Sequence, residues 1–177
     1  MVVLGICYPF VVYAALGHVP AGAFVVLATL LILGRLIAFR GDRMARLLLP
    51  PLLITVVATL LLAVLTPEFS VKAYPVLMSL CFASAFGFSL LHPPSLAEIF
   101  ARRTQPEMTD EAVRYTRKVS AVWFGFLLIN AGLSLATALH GDLALWTLYN
   151  GIISYILMGL LFAGELLVRQ RVMARSA

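Results

Sequence analysis

Six apolar runs, separated by short charged or Gly/Pro-rich turns, constrain this chain more than any motif in it. They cover about residues 1–16, 23–39, 47–65, 73–92, 119–139 and 146–168. Several reach or approach the ~20 residues that carry a helix across a ~30 Å hydrocarbon core. Backbone polar groups in lipid must be satisfied internally, which leaves helices or a closed barrel. The runs are continuous and lack the alternation of a barrel strand. Of the 177 residues, 62% are hydrophobic and 12% charged, about half the charged fraction of an ordinary soluble chain, which is roughly a quarter. The expected fold is all-α: an integral membrane protein with a single transmembrane domain over residues 1–177, six helices in a bundle, and a short interfacial helix before the fifth span.

The first run is short, contains Pro9 and lacks a basic segment ahead of it, so it reads as a retained helix kinked near Pro9 rather than a signal peptide. Gly17 to Gly22 reads as a turn. The third run carries Pro50-Pro51 in its first turn, where proline costs little. Residues 66–72 read as the next turn. In the fourth run Ser79, Ala83 and Gly87 recur every four residues, a small-residue stripe that lets helices approach closely in lipid. Pro93-Pro94 ends that run. Ser95-Leu96-Ala97-Glu98 then has the form of a capping box. In the helix it opens, Leu96, Ile99 and Phe100 share one face and Glu98 and Arg102 the other, as expected of a segment lying in the membrane interface. Thr109 is the expected N-cap of a helix that runs through Asp110 and Glu111 into span five. Residues 95–118 thus form the interfacial segment.

Alternation of six spans sorts the charges. Arg35, Arg40, Arg43, Arg46, Arg102, Arg103, Arg114, Arg117, Lys118, Arg169, Arg171 and Arg175 fall on one side, and Lys72 on the other. The positive-inside rule then places both termini in the cytoplasm. It also accounts for the net charge of +5 without a nucleic-acid partner.

Polar residues at membrane depth are functional hypotheses by default. Trp123, Asn130, Trp146, Asn150, Tyr155 and Glu165 are the candidates for a polar pocket between spans five and six. The structural alternative for Asn130 and Asn150 is an interhelical hydrogen bond or a turn cap. Glu165 and Arg169 have i,i+4 spacing and read as an interfacial ion pair. Arg102, Arg103, Arg114, Arg117 and Lys118 are candidates either for contact with anionic lipid headgroups or for docking of an acidic partner. No catalytic pair is expected. His92 and Cys81 are about 16 Å apart at 1.5 Å per helical residue, too far for a dyad. The outer-side His18, Glu68, His140 and Asp142 do not read as a metal site, and no cofactor motif is present.

Five stretches carry a resemblance: Pro94 to Arg102, Val113 to Val119, Trp123 with Asn130, Trp146 to Gly151, and Leu160 to Glu165. Together they resemble an uncharacterised family of small bacterial inner-membrane proteins encoded with aryl polyene and fatty-acid-type biosynthesis genes, some of them labelled ketosynthase. The hairpin with Trp123, Asn130 and Trp146 is more distantly similar to the intracellular septation protein A family. A ketosynthase would need a large soluble fold with a reactive cysteine and partners in reach, whereas Cys7 and Cys81 lie in apolar runs. What the resemblance implies is a non-enzymatic accessory component of lipid-type biosynthesis or export in the bacterial inner membrane. Its partners would be membrane lipids and an acyl carrier protein docked on the basic residues. A small lipid or metabolite transporter, with Asn130, Asn150 and Tyr155 lining a path, and an envelope-maintenance protein are the alternatives.

Overall fold

The computed structural model describes residues 2–15, 23, 26, 29, 30, 33, 34 and 43–175. The expected second span and the turns on either side of it lie largely outside the described residues. The described chain forms α1 (Val2–Ala15), α2 (Arg43–Leu65), α3 (Pro67–Leu91), the short α4 (Leu96–Ala101), α5 (Asp110–His140), α6 (Leu143–Leu148), a π-helical turn (Tyr149–Ile153) and α7 (Ser154–Arg175). No strand occurs among the described residues. Three helical stretches, Phe69–Leu91, Asp110–His140 and Leu143–Gln170, are long and apolar enough to cross a membrane, and Pro50–Leu62 is a shorter apolar stretch.

Helices α2, α3 and α5 form the body. The most extensive packing is α3 on α5, followed by α2 on α3. The small-residue stripe explains the first contact. Ser79 and Ala83 are buried, and a Cβ added at Gly87 would lie 2.9 Å from Cε2 of Phe124. Helix α1 packs against α6 and the π turn. Its Tyr8 hydroxyl donates to the Val71 carbonyl (3.2 Å), and its ring lies 4.5 Å from that of Tyr74. Small polar side chains are buried between the helices and many large apolar ones lie outside. Ser89, Ser120, Ser134, Thr59 and Asn150 are buried, while Ile54, Val64, Ile129 and Leu160 are 64–80% exposed. Patches of that kind on a protein in water are association sites, whereas hydrocarbon solvates them.

Three boundaries differ from expectation. The expected turn over residues 66–72 is reduced to Thr66, because Pro67 occupies the first helical position, where its missing N–H is not needed. Pro50-Pro51 lie well inside α2, which starts at Arg43. Such interior prolines leave the Arg46 and Leu47 carbonyls without their i+4 amide donors; one turn further on, the Thr55 hydroxyl back-bonds to the Pro51 carbonyl (2.8 Å). Glu98, expected on the polar outer face of α4, is 6% exposed, while Phe100 is 49% exposed. The carboxylate turns inward because Arg102 follows it, with Nε 2.8 Å from Oε1.

The N-caps agree with the sequence reading, but the reciprocal half of the capping box at Ser95 is not formed, because the Glu98 carboxylate is engaged by Arg102. Ser95 accepts from the Glu98 amide and Thr109 from the Ala112 amide. Two further serines, one on each neighbouring helix, complete the start of α4: the Leu96 amide donates to Ser89 Oγ (2.9 Å) and the Ala97 amide to Ser120 Oγ (3.0 Å). Helix α5 ends at Gly141, with φ 88°. Gly141→Ala is expected to cost about 1–2 kcal/mol from the left-handed backbone alone, with Gly141→Asn costing less. Thermal unfolding of the three proteins in one detergent checks this. Asp142 then caps α6 through the Ala144 and Leu145 amides.

Candidate functional site

Five of the six polar and aromatic candidates separate into two neighbourhoods instead of one pocket. The first is a buried hydrogen-bonded network where α3, α5 and the π turn meet. Asn130 donates to Ser79 Oγ (3.0 Å) and accepts from the Tyr149 hydroxyl (3.0 Å). Asn150 accepts from Ser134 Oγ (2.6 Å) and donates to the Trp146 carbonyl (2.9 Å). Trp146 has no exposed surface and donates its indole N–H to the Lys72 carbonyl (3.2 Å). The asparagines therefore do not pair with each other. Each ties α5 to the return helix, and Asn130 also reaches α3.

The π turn belongs to this network. The Ser154 amide donates to the Tyr149 carbonyl, five residues back. The Asn150 carbonyl, which that amide would take in an α-helix, instead accepts from Ser154 Oγ (3.3 Å). Side-chain hydroxyls thus compensate the wider turn. Gly151 leaves room there for the Phe10 ring: an added Cβ would lie 2.9 Å from Cζ of Phe10, and the ring would have to shift.

The second neighbourhood is a cavity of about 590 Å³ between α3, α4 with the segment that follows it, α5 and α7. One end is apolar, walled by Phe82, Phe86, Trp123, Leu127, Met158 and Phe162; the other holds Tyr115, Glu165 and Arg169. The Trp123 ring stacks on Phe86 at 6.1 Å, nearly parallel, and meets Phe126 edge-on at 5.9 Å. The Tyr115 hydroxyl donates to the Glu165 carbonyl (3.2 Å), linking α5 to α7 at the polar end. At the other end α7 continues from the π turn. Little of the α6–α7 span is buried, 11% against 44% for α3, so the cavity borders a helix whose apolar surface is largely left uncovered by the described residues.

Trp123 and Glu165 thus lie in the cavity; Asn130, Trp146, Asn150 and Tyr155 do not line it. The expected Glu165–Arg169 ion pair is not formed: among the described residues the salt bridge is Glu98–Arg102, 2.8 Å. Both side chains face the cavity instead, and Tyr115 lies within electrostatic range of each. Of the basic candidates, Arg102 is tied to Glu98 and to the Pro106 carbonyl, and Arg103 lies over the Phe100 ring at 5.9 Å. Arg114, Arg117 and Lys118 are exposed on one stripe of α5. The residues that sequence reasoning passed over are Tyr115, Phe82 and Phe86. Ala112, Thr116, Val119 and Trp123 follow each other at helical spacing on the cavity wall, and Tyr115 sits in that stripe, opposite the charged stripe of Arg114, Arg117 and Lys118 that drew the reading of this segment.

No protein-family model, curated protein or solved structure matches the chain.

Proposed function

We propose that this chain is a multi-pass inner-membrane protein that holds an amphiphilic molecule, serving lipid-type biosynthesis or export as a non-enzymatic accessory component. The observation that carries the reading is the cavity, apolar at one end and charged at the other, beside a lipid-exposed helix. Its volume lies within the ~300–1,000 Å³ of sites that enclose one small ligand. The aryl polyene and fatty-acid-type pathway comes from the resemblance of residues 94–171. The topology proposed is six spans with both termini cytoplasmic, as the distribution of basic residues favours. In support, Arg114, Arg117 and Lys118 lie in the first third of α5, while the Lys72 carbonyl meets Trp146, just after the turn that ends that helix.

Exposure of Arg114, Arg117 and Lys118 near the charged end of the cavity favours a second element, the docking of an acidic acyl carrier protein there by charge complementarity. Arg102 contributes less to such a surface, because its guanidinium is already engaged by Glu98.

The test is mass spectrometry of lipid and pigment extracts from an in-frame deletion strain and its complemented parent. Loss of an acyl or polyenyl product, or accumulation of a truncated precursor, is the expected result. Identical extracts would remove the biosynthetic role.

A further inference from the structure

The charged end of the cavity is built in an unusual way for a site that meets lipid. Glu165 and Arg169 project from successive turns of α7, about 6 Å apart along the axis at 1.5 Å per residue. Their spacing would permit an ion pair, yet they are not joined among the described residues, and both line the same cavity. Between them and α5 stands Tyr115, whose hydroxyl is held by the Glu165 carbonyl. The cavity therefore presents a carboxylate and a guanidinium side by side, each partly buried.

Each simple headgroup fails one of these two charges. An anionic head at Arg169 brings like charge to Glu165, and a cationic head at Glu165 does the same to Arg169. An uncharged head would desolvate both charges and pair neither, which is costly for ions removed from water. A head carrying both signs is complementary to both side chains. At the opposite end, Phe82, Phe86, Trp123 and Leu127 offer an apolar, aromatic wall to a hydrocarbon chain. A site of this volume encloses one drug-sized molecule, and so one chain.

We propose that the cavity binds a single-chain amphiphile with a zwitterionic head, its anionic group on Arg169, its cationic group on Glu165 and its chain against Trp123 and Phe86. This rests on the amphiphile-binding reading and adds the class of ligand. The chain contains two tryptophans, so Trp146→Phe leaves Trp123 as a reporter inside the cavity. The full-length Trp146→Phe protein in uncharged maltoside micelles is titrated with three amphiphiles sharing one dibrominated C18 chain. Their heads are dimethylammonio-propanesulfonate, whose cation lies next to the chain as Glu165 lies nearer the apolar end than Arg169, carboxylate and trimethylammonium, and bromine quenches Trp123 fluorescence on contact. If Trp146→Phe does not fold, the same titration is run on the native chain, with Trp123→Phe giving the background.

The expected result is saturable quenching in which the zwitterion binds at least about tenfold more tightly than either singly charged probe. Glu165→Gln is expected to shift the preference to the carboxylate probe, and Arg169→Gln to the trimethylammonium probe. If quenching saturates but all three proteins rank the probes identically, the headgroup assignment is overturned while amphiphile binding stands. If no probe quenches Trp123 saturably, both fall.

Discussion

Trp146→Ala is expected to lower the unfolding free energy by about 3–5 kcal/mol, the usual cost of truncating a buried tryptophan. Trp146 is fully buried and belongs to one core cluster with Tyr8, Val12, Val71, Tyr74 and Ala138. Those residues come from α1, α3, α5 and α6, and Trp146 is the largest fully buried side chain among the described residues. Truncation removes dispersion contacts on all sides and leaves the Lys72 carbonyl without its indole donor. Loss of packing matters in a membrane even though water is absent, since close contact is what associates helices there. Trp146→Phe keeps most of the volume and is expected to cost about 1–2 kcal/mol, chiefly the lost hydrogen bond. Unfolding in mixed micelles of increasing dodecyl sulfate, followed by Trp123 fluorescence, measures both. Equal costs for the two variants would mean that the hydrogen bond, and not the packing, sets the effect.

Asn130→Ala is expected to cost about 1–3 kcal/mol, because it strips partners from two buried hydroxyls at once. Ser79 loses its donor and Tyr149 its acceptor, and all three side chains are at least nine-tenths buried. Hydrogen bonds between membrane helices average only about 0.6 kcal/mol in double-mutant cycles. The single truncation should therefore exceed the coupling measured in the cycle with Ser79→Ala, which is expected near that average. Tyr149→Phe removes only the hydroxyl and should fall below Asn130→Ala. A double-mutant cycle by the same unfolding assay separates the terms. Coupling indistinguishable from zero would mean that the Asn130–Ser79 hydrogen bond adds nothing to stability and that the cost of Asn130→Ala lies with Tyr149 and packing.

The helices were legible because hydrophobicity in this chain is continuous, and lipid permits few backbone solutions for such runs. Caps were legible for a local reason. Ser95 and Thr109 each act on an amide three residues away, and that distance is written in the sequence. The Ser79–Ala83–Gly87 stripe was legible because close helix approach requires small residues at a fixed spacing. What escaped was non-local. Nothing near Asn130 in sequence announces Ser79, 51 residues away, and nothing near Tyr115 announces the Glu165 carbonyl, 50 residues away. Trp123 and Asn130 lie on nearly the same helix face, which merged two neighbourhoods into one expected pocket. Their partners separate them: Phe86 and the cavity for the first, Ser79 and Tyr149 for the second. The π turn escaped because it adds no residue type of its own, and its compensation by Ser154 emerges only from three-dimensional bonding. Glu98 was misplaced by amphipathic counting, since its burial depends on the salt bridge that Arg102 provides one turn later.

The proposed function requires an amphiphile in the cavity between α3, α4, α5 and α7. Native mass spectrometry of the full chain released from micelles tests it most directly, alongside Ala112→Trp, which places an indole where the wall is now a methyl group. One retained amphiphile is expected per native chain and none, or at least tenfold less, on the Ala112→Trp protein of equal thermal stability. A native chain that carries no amphiphile, or one that carries it equally with the cavity filled, would contradict it.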